Sequence, residues 1–242
     1  KTLSRNRDWK DEFTLYSHDI RYLKNSFHAN ILYASQLIMM ANNPAQPGAA
    51  HDMNKASLAL KHFKQALAID STHAKTLANI GTLFYQFLGR YDSAEWYFNR
   101  ALHFDSLFAV AHFNLGYCYE IQGKQAKAVS RYRRAAILDT ADIRPLSALA
   151  SIYFKLGMND SALTVNKRIM NVHPASDIPY LNLGNFALAN KDEPSAAAWF
   201  EKAIEKNPGN VALCKQLSDY FRSRGNEKKA DYYQSIIYLK QE

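Results

Sequence analysis

A pattern with a period of 34 residues runs along most of this chain. A small residue falls at Ala34, Gly81, Gly116, Ala150, Gly184 and Ser218, and an alanine follows at Ala59, Ala94, Ala128, Ala162, Ala196 and Ala230. Four residues later stands an aromatic, at Phe63, Phe98, Tyr132 and Phe200, replaced by Asn166 and Gln234 in two copies. Ala66, Ala101, Ala135, Ile169, Ala203 and Ile237 close the set. A fixed period of this size predicts stacked copies of one small unit. It also shifts the expected function from chemistry to binding, because stacked repeats offer an extended surface.

Copy 109–142 shows the unit. Val110–Gln122 carries helical spacing with Leu115, Cys118 and Tyr119 on one face. Gly123 ends that helix, and Lys124–Leu138 forms a second helix with Ala128, Tyr132 and Ala135 inward. Asp139-Thr140 supplies a polar turn. Small residues let the helices approach and the aromatic fills the remaining gap. Pro174 and Pro208 stop two copies.

The predicted copies are 27–73, 74–108, 109–142, 143–176, 177–210 and 211–242. The second has an extra residue at Leu88-Gly89. The first is 47 residues long, with an insertion over 42–53. That insertion contains Asn43-Pro44-Ala45-Gln46-Pro47-Gly48 and reads as an exposed loop. Residues 1–26 form a separate capping segment. A helix over 8–24 is expected there, N-capped by Asp8, with Trp9, Phe13, Tyr16 and Ile20 on one side. The last helix carries Tyr232, Tyr233, Ile236, Tyr238 and Leu239 and is apolar for a terminal repeat. Self-association or further chain is expected to cover it. The start at Lys1, without Met, reads as a fragment of a longer protein.

The formal net charge is +8 and the basic residues are dispersed, apart from Arg131–Arg134 and Arg222–Lys229. Aromatics keep core register and do not interleave with those clusters, so solvated outer helix faces are expected and nucleic-acid binding is not. No run of about 18 apolar residues exists to span a membrane. The stretch Ile31–Ala41 is broken by Ser35 and Gln36. Cys118 and Cys214 lie about three repeats apart, too far to bridge. The eight histidines occupy unrelated repeat positions, so no metal or cofactor is expected, and His112 reads as a structural residue. G-x-x-x-x-G-K-[ST], H-E-x-x-H, C-x-x-C and G-x-S-x-G are all missing. The segment itself is expected to be non-catalytic.

Asn114-Leu115-Gly116…Tyr119…Gly123…Ala128…Tyr132…Ala135 resembles the tetratricopeptide repeat, and Asn182-Leu183-Gly184…Ala196…Phe200…Ala203…Pro208 resembles it again. The resemblance implies an all-α fold: a right-handed superhelical solenoid of antiparallel helix pairs, here six repeats preceded by one extra helix. A second resemblance lies in Ser4–Tyr16, which is similar to the stretch joining the last membrane helix to the repeats in transmembrane and tetratricopeptide-repeat, protein O-mannosyltransferase-like proteins. It implies a substrate-presenting, non-cytoplasmic tail of a multipass membrane glycosyltransferase, with any catalytic carboxylate upstream of Lys1.

In the repeat family the first helix of each pair lines a concave groove through its positions 2, 5, 6, 9, 12 and 13. Carried over, the groove residues include Lys75, Asn79 and Tyr85, then Val110, Phe113, Asn114 and Tyr117, then Arg144, Phe154 and Lys155, then Ile178, Leu181 and Asn182, and finally Lys215. Asn79, Asn114 and Asn182 share the sixth position, and an amide can pair with an extended peptide backbone. Val110, Phe113, Tyr117, Phe154, Ile178 and Leu181 offer apolar anchors. Lys75, Arg144, Lys155, Lys215 and Arg222 outnumber Glu120 and Asp219 there. An interaction scaffold for an acidic, extended peptide or protein with apolar anchors is therefore expected. Ala78 and Thr82 stand where a chaperone-type carboxylate clamp needs Lys and Asn. Replacing Phe113 and Asn114 by alanine is expected to weaken binding with little loss of stability, and Tyr233→Glu to break a dimer.

Overall fold

The computed structural model describes residues 12–42 and 52–239. Its described residues form helices without strands. A short helix, α1 (Glu12–Asp19), precedes six pairs. These are α2 (Phe27–Asn42) with α3 (Met53–Ile69), α4 (Ala74–Gln86) with α5 (Tyr91–Phe104), and α6 (Ala109–Ile121) with α7 (Gln125–Leu138). Then come α8 (Arg144–Lys155) with α9 (Asn159–Val172), α10 (Ile178–Ala189) with α11 (Glu193–Lys206), and α12 (Val211–Ser223) with α13 (Glu227–Tyr238). Below, the first and second helices of each pair are the A and B helices.

Two compact units divide the chain, one running to Leu138 and the other starting at Asp139. Each holds three pairs. Within each unit, A helices touch one another directly, α4 against α6 and α8 against α10. They therefore form the inner face, and the B helices form the outer one.

The repeating residues explain the pairing. Gly81, Gly116 and Gly184 each face the ring of the partner B helix. A Cβ would lie 2.9 Å from the Phe98 ring at Gly81 and 2.7 Å from the Tyr132 ring at Gly116; at Gly184 it would come nearer still to Phe200. Where the ring is replaced, the glycine is replaced too. Ala150 goes with Asn166, and Ser218 goes with Gln234, the Ser218 hydroxyl donating to the Ala230 carbonyl at 2.9 Å. Ala34 with Phe63 is the exception, and both are buried.

From the second pair on, the turn inside each pair is equally regular. Backbone N–H groups of Lys124, Met158, Asp192 and Asn226 donate back five residues to Tyr119, Tyr153, Ala187 and Phe221, at 2.8–2.9 Å. In the second copy Arg90 reaches back six, to Phe84, which absorbs the extra residue. The left-handed position is held by Gly89, Gly123, Gly157 and Gly225, but by Lys191 in the fifth copy, with φ 61°. A non-glycine residue is disfavoured there. Lys191→Gly is expected to stabilise the chain by about 0.5–1 kcal/mol, read as a higher denaturation midpoint. An unchanged or lower midpoint would contradict this.

Four of the B helices, α3, α5, α7 and α11, end at an acid or amide that turns the chain. Asp70, Asp105, Asp139 and Asn207 each accept from the backbone N–H two residues on, at 2.9–3.2 Å.

At the N-terminus, α1 stops at Asp19 and not near residue 24 as expected. The chain turns there, with Leu23 N–H bonded to Asp19 O, and the Asn30 amide holds Lys24 O at 2.7 Å and Ser26 O at 2.8 Å. Asn30 is fully buried, and its oxygen meets His62 Nδ1 at 2.8 Å. Of the face expected on this helix, Ile20 is buried and Phe13 stacks on Tyr33 at 6.0 Å. Asp8 and Trp9 lie outside the described residues, as does the inserted loop at 43–51.

Candidate functional site

On the inner face of the first unit, α2 and α4 border a cavity of about 280 Å³. Ser35, Ile38, Lys75, Asn79 and Thr82 line it above a floor that includes Phe63 and Leu83. Beside it the Tyr85 and Tyr117 rings lie 5.5 Å apart. Val110, Tyr117 and Ile121 expose apolar surface along α6.

Two residues predicted for this face serve the fold. Asn114 is 9% exposed, and its amide donates to Thr82 Oγ1 at 3.3 Å. Thr82 in turn donates to the Ala78 carbonyl at 3.1 Å. Phe113 packs on Tyr132, ring to ring at 5.6 Å, and the Tyr132 hydroxyl donates to Glu120 at 2.9 Å. Burial raises the Tyr132 phenol far above its ordinary pKa. Replacing Phe113 and Asn114 would therefore disturb packing and an inter-repeat hydrogen bond, contrary to the expectation of little stability loss. Tyr117 and Ile121 are the cleaner probes.

In the second unit the predicted residues also divide. The Arg144 guanidinium clasps Asp142, with Nε at 2.9 Å and Nη2 at 2.7 Å, and holds that carboxyl below the usual range. Phe154 stacks on Phe186 at 4.2 Å. Leu181 packs against the core of the last two copies, and Ile178 is half-buried. Asn182 donates to the buried Asn166 at 3.1 Å, and Asn166 donates to the Ala162 carbonyl at 3.0 Å. Lys155 and Lys215 are exposed. Arg222 lies 3.8 Å from Glu227 and 3.7 Å from Asp231. A cavity of about 310 Å³ opens between the last two pairs, lined by Leu188, Phe200, Gln216, Asp219 and Tyr220. The positions carried over from the repeat family had marked Asp219 for the inner face but could not show a cavity there.

The cysteines and His112 are held in the core. Burial pushes the Cys118 thiol up to about 12 and raises Cys214 as well. A thiol so shifted is a poor nucleophile. His112 is buried, with Nε2 3.1 Å from Ser106 O, and desolvation lowers its pKa. Among the described residues no three His, Cys, Asp or Glu side chains are placed to hold a metal. No helix among them is long and apolar enough to cross a membrane.

The tetratricopeptide-repeat family model matches residues 84–143 and 147–211, more than half of the chain. This chain belongs to the tetratricopeptide-repeat family. Anaphase-promoting complex subunit 6 of Arabidopsis thaliana is 24% identical over 162 residues. That match covers 64% of this chain and spans 30% of the relative's length. Solved tetratricopeptide-repeat structures share the fold. PilW, described as a type IV pilus biogenesis factor, superposes with a TM-score of 0.69 at 18% identity, over 89% of this chain and 94% of its own. The C-terminal part of a repeat protein from Cytophaga hutchinsonii gives 0.65 at 16%, over 98% and 92%. YrrB, described as having an unusual peptide-binding site, gives 0.57 at 21%, over 82% and 95%. The family model begins at residue 84, so the stretch Ser4–Tyr16 lies outside its match, and most of that stretch lies outside the described residues.

Proposed function

We propose that this tetratricopeptide-repeat chain is a protein-interaction scaffold that binds an extended peptide on the inner face of its first unit. The cavity between α2 and α4 carries the reading. It has a polar rim of Lys75, Asn79 and Thr82, and on the same unit the half-buried Tyr85 meets Tyr117, which is exposed with Val110 and Ile121. An apolar anchor fits the cavity while the Asn79 amide at its rim addresses peptide backbone. YrrB supports the reading by its described peptide-binding site on the same fold. Lys75 and Glu120 balance on the A helices of this unit, so apolar anchors and not net charge supply the affinity. An acidic preference would have to come from Lys155 and Lys215 on the second unit.

Selection of a displayed random-peptide library on the chain tests this reading. Enriched peptides should share apolar anchor positions, and the Tyr117→Ala, Ile121→Ala double variant should fail to enrich them. Equal enrichment by that variant would remove the inner face of the first unit as the site.

Self-association through α13 is a second reading, favoured by the exposure of Tyr232, Tyr238 and Leu239, the last at 73%. Light scattering should show a dimer that Tyr238→Glu converts to monomer; a wild-type monomer would end it.

A further inference from the structure

Charge in the first unit is sorted by helix. Neither α3 nor α7 contains Asp or Glu, and with α5 they carry eight Lys and Arg against Asp92 and Glu95, a net of +6. The inner helices α2, α4 and α6 carry just Lys75 and Glu120 between them. In the second unit, α9, α11 and α13 hold six basic and six acidic side chains. The basic excess therefore belongs to the B helices of the first unit, where Lys55 is paired with the capping Asp52.

The two carboxylates on that face are already satisfied. Gln122 donates to Asp92 at 2.9 Å, and Lys124 Nζ and the Tyr119 hydroxyl each reach Glu95 at 3.1 Å. Opposite the buried Ala128, Tyr132 and Ala135, Arg134 is exposed, and Lys127 is exposed with its ammonium 5.4 Å from the Tyr119 ring. Lys61 and Lys64 are exposed on α3.

Apolar surface is interleaved with this charge. Trp96, central on α5, is 54% exposed, with the Arg100 guanidinium 5.3 Å from its ring. A shallow concavity runs along α5 past Asp92, Glu95, Trp96, Asn99, Arg100 and His103. Leu58 on α3, Ile137 on α7, and Phe104 and Leu107 at the end of α5 are exposed as well.

We propose that the outer face of the first unit docks onto an anionic lipid bilayer. Basic side chains near such a surface are attracted by its negative potential. Indole and aliphatic side chains bury shallowly at the headgroup boundary and add the apolar term. A nucleic acid provides no apolar layer for Leu58, Ile137, Phe104 and Leu107, so the combination favours the bilayer. Docking by the outer face leaves the inner face open to a peptide, and the two proposals stand or fall separately.

Co-sedimentation with vesicles tests it. The chain should bind vesicles of equimolar phosphatidylcholine and phosphatidylserine, release at high salt, and ignore phosphatidylcholine alone. A Lys64→Glu, Arg134→Glu double variant, altered at exposed positions, should keep its melting curve and lose at least about tenfold in partitioning. The tryptophan emission shift on binding should vanish in Trp96→Phe, while Tyr117→Ala should bind as the wild type does. Absence of binding to the anionic vesicles would overturn the proposal. So would undiminished binding by the charge-reversed variant, or a preference for duplex DNA or poly-glutamate over the vesicles.

Discussion

Phe98→Ala is expected to cost about 3–5 kcal/mol of stability, in the range for deleting a fully buried ring. Phe98 has no solvent exposure and fills the space left by Gly81 across the second pair. The sharper test is a double-mutant cycle with Gly81→Ala. Alone, the added methyl would lie 2.9 Å from the Phe98 ring. Overpacking of that kind costs about 1–3 kcal/mol and outweighs the roughly 1 kcal/mol that alanine gains over glycine in a helix. With Phe98 already removed the clash is gone, so Gly81→Ala should become stabilising by up to about 1 kcal/mol. Urea denaturation of the four proteins reads this sign change. A Gly81→Ala effect of the same sign in both backgrounds would refute the account of the repeat.

Tyr233→Glu is expected to unfold the last pair and not to act as a probe of self-association. Tyr233 is 5% exposed, and its hydroxyl donates to Glu201 at 3.0 Å, beside Lys229 Nζ at 2.7 Å on the same oxygen. Burial and the Glu201 carboxylate both push the phenol pKa up, so the site resists negative charge. A glutamate placed there faces a like charge in a desolvated position, at a cost of about 3–5 kcal/mol. Its folded pKa would be raised above its unfolded value near ~4.3. The protonated form is then favoured in the native state, so the deficit relative to wild type should shrink as pH falls toward that value and be complete above the raised folded pKa. Denaturation midpoints of both proteins at acidic and neutral pH measure the difference. A deficit constant with pH would show that charge is not the cause.

Much of the fold was legible because the repeat encodes packing directly. Glycine at the eighth position of an A helix meant a ring on the B helix at Gly81, Gly116 and Gly184, and the structure shows the contact. The two copies that lose the ring lose the glycine as well. Position on a helix did not reveal which neighbouring helix covers a side chain. Asn114 sits at an inner-face position yet is closed over by Thr82 from the preceding copy. Asn182 is likewise engaged by Asn166, a residue that reads in sequence as a missing aromatic. Whole-chain composition hid the charge asymmetry, because the excess appears once basic residues are assigned to B helices of one unit. The division after Leu138 left no mark, since the 34-residue period runs through it unbroken.

The most direct measurement for the central claim is the affinity of one library-selected, fluorescently labelled peptide for three proteins. These are the wild type, Tyr117→Ala on the inner face and Trp96→Ala on the outer face. Binding on the inner face predicts a loss of about tenfold or more for Tyr117→Ala, as for an anchor residue worth more than about 1 kcal/mol, and wild-type affinity for Trp96→Ala. Wild-type affinity in Tyr117→Ala, with the loss falling on Trp96→Ala, would contradict it and place the peptide on the opposite face.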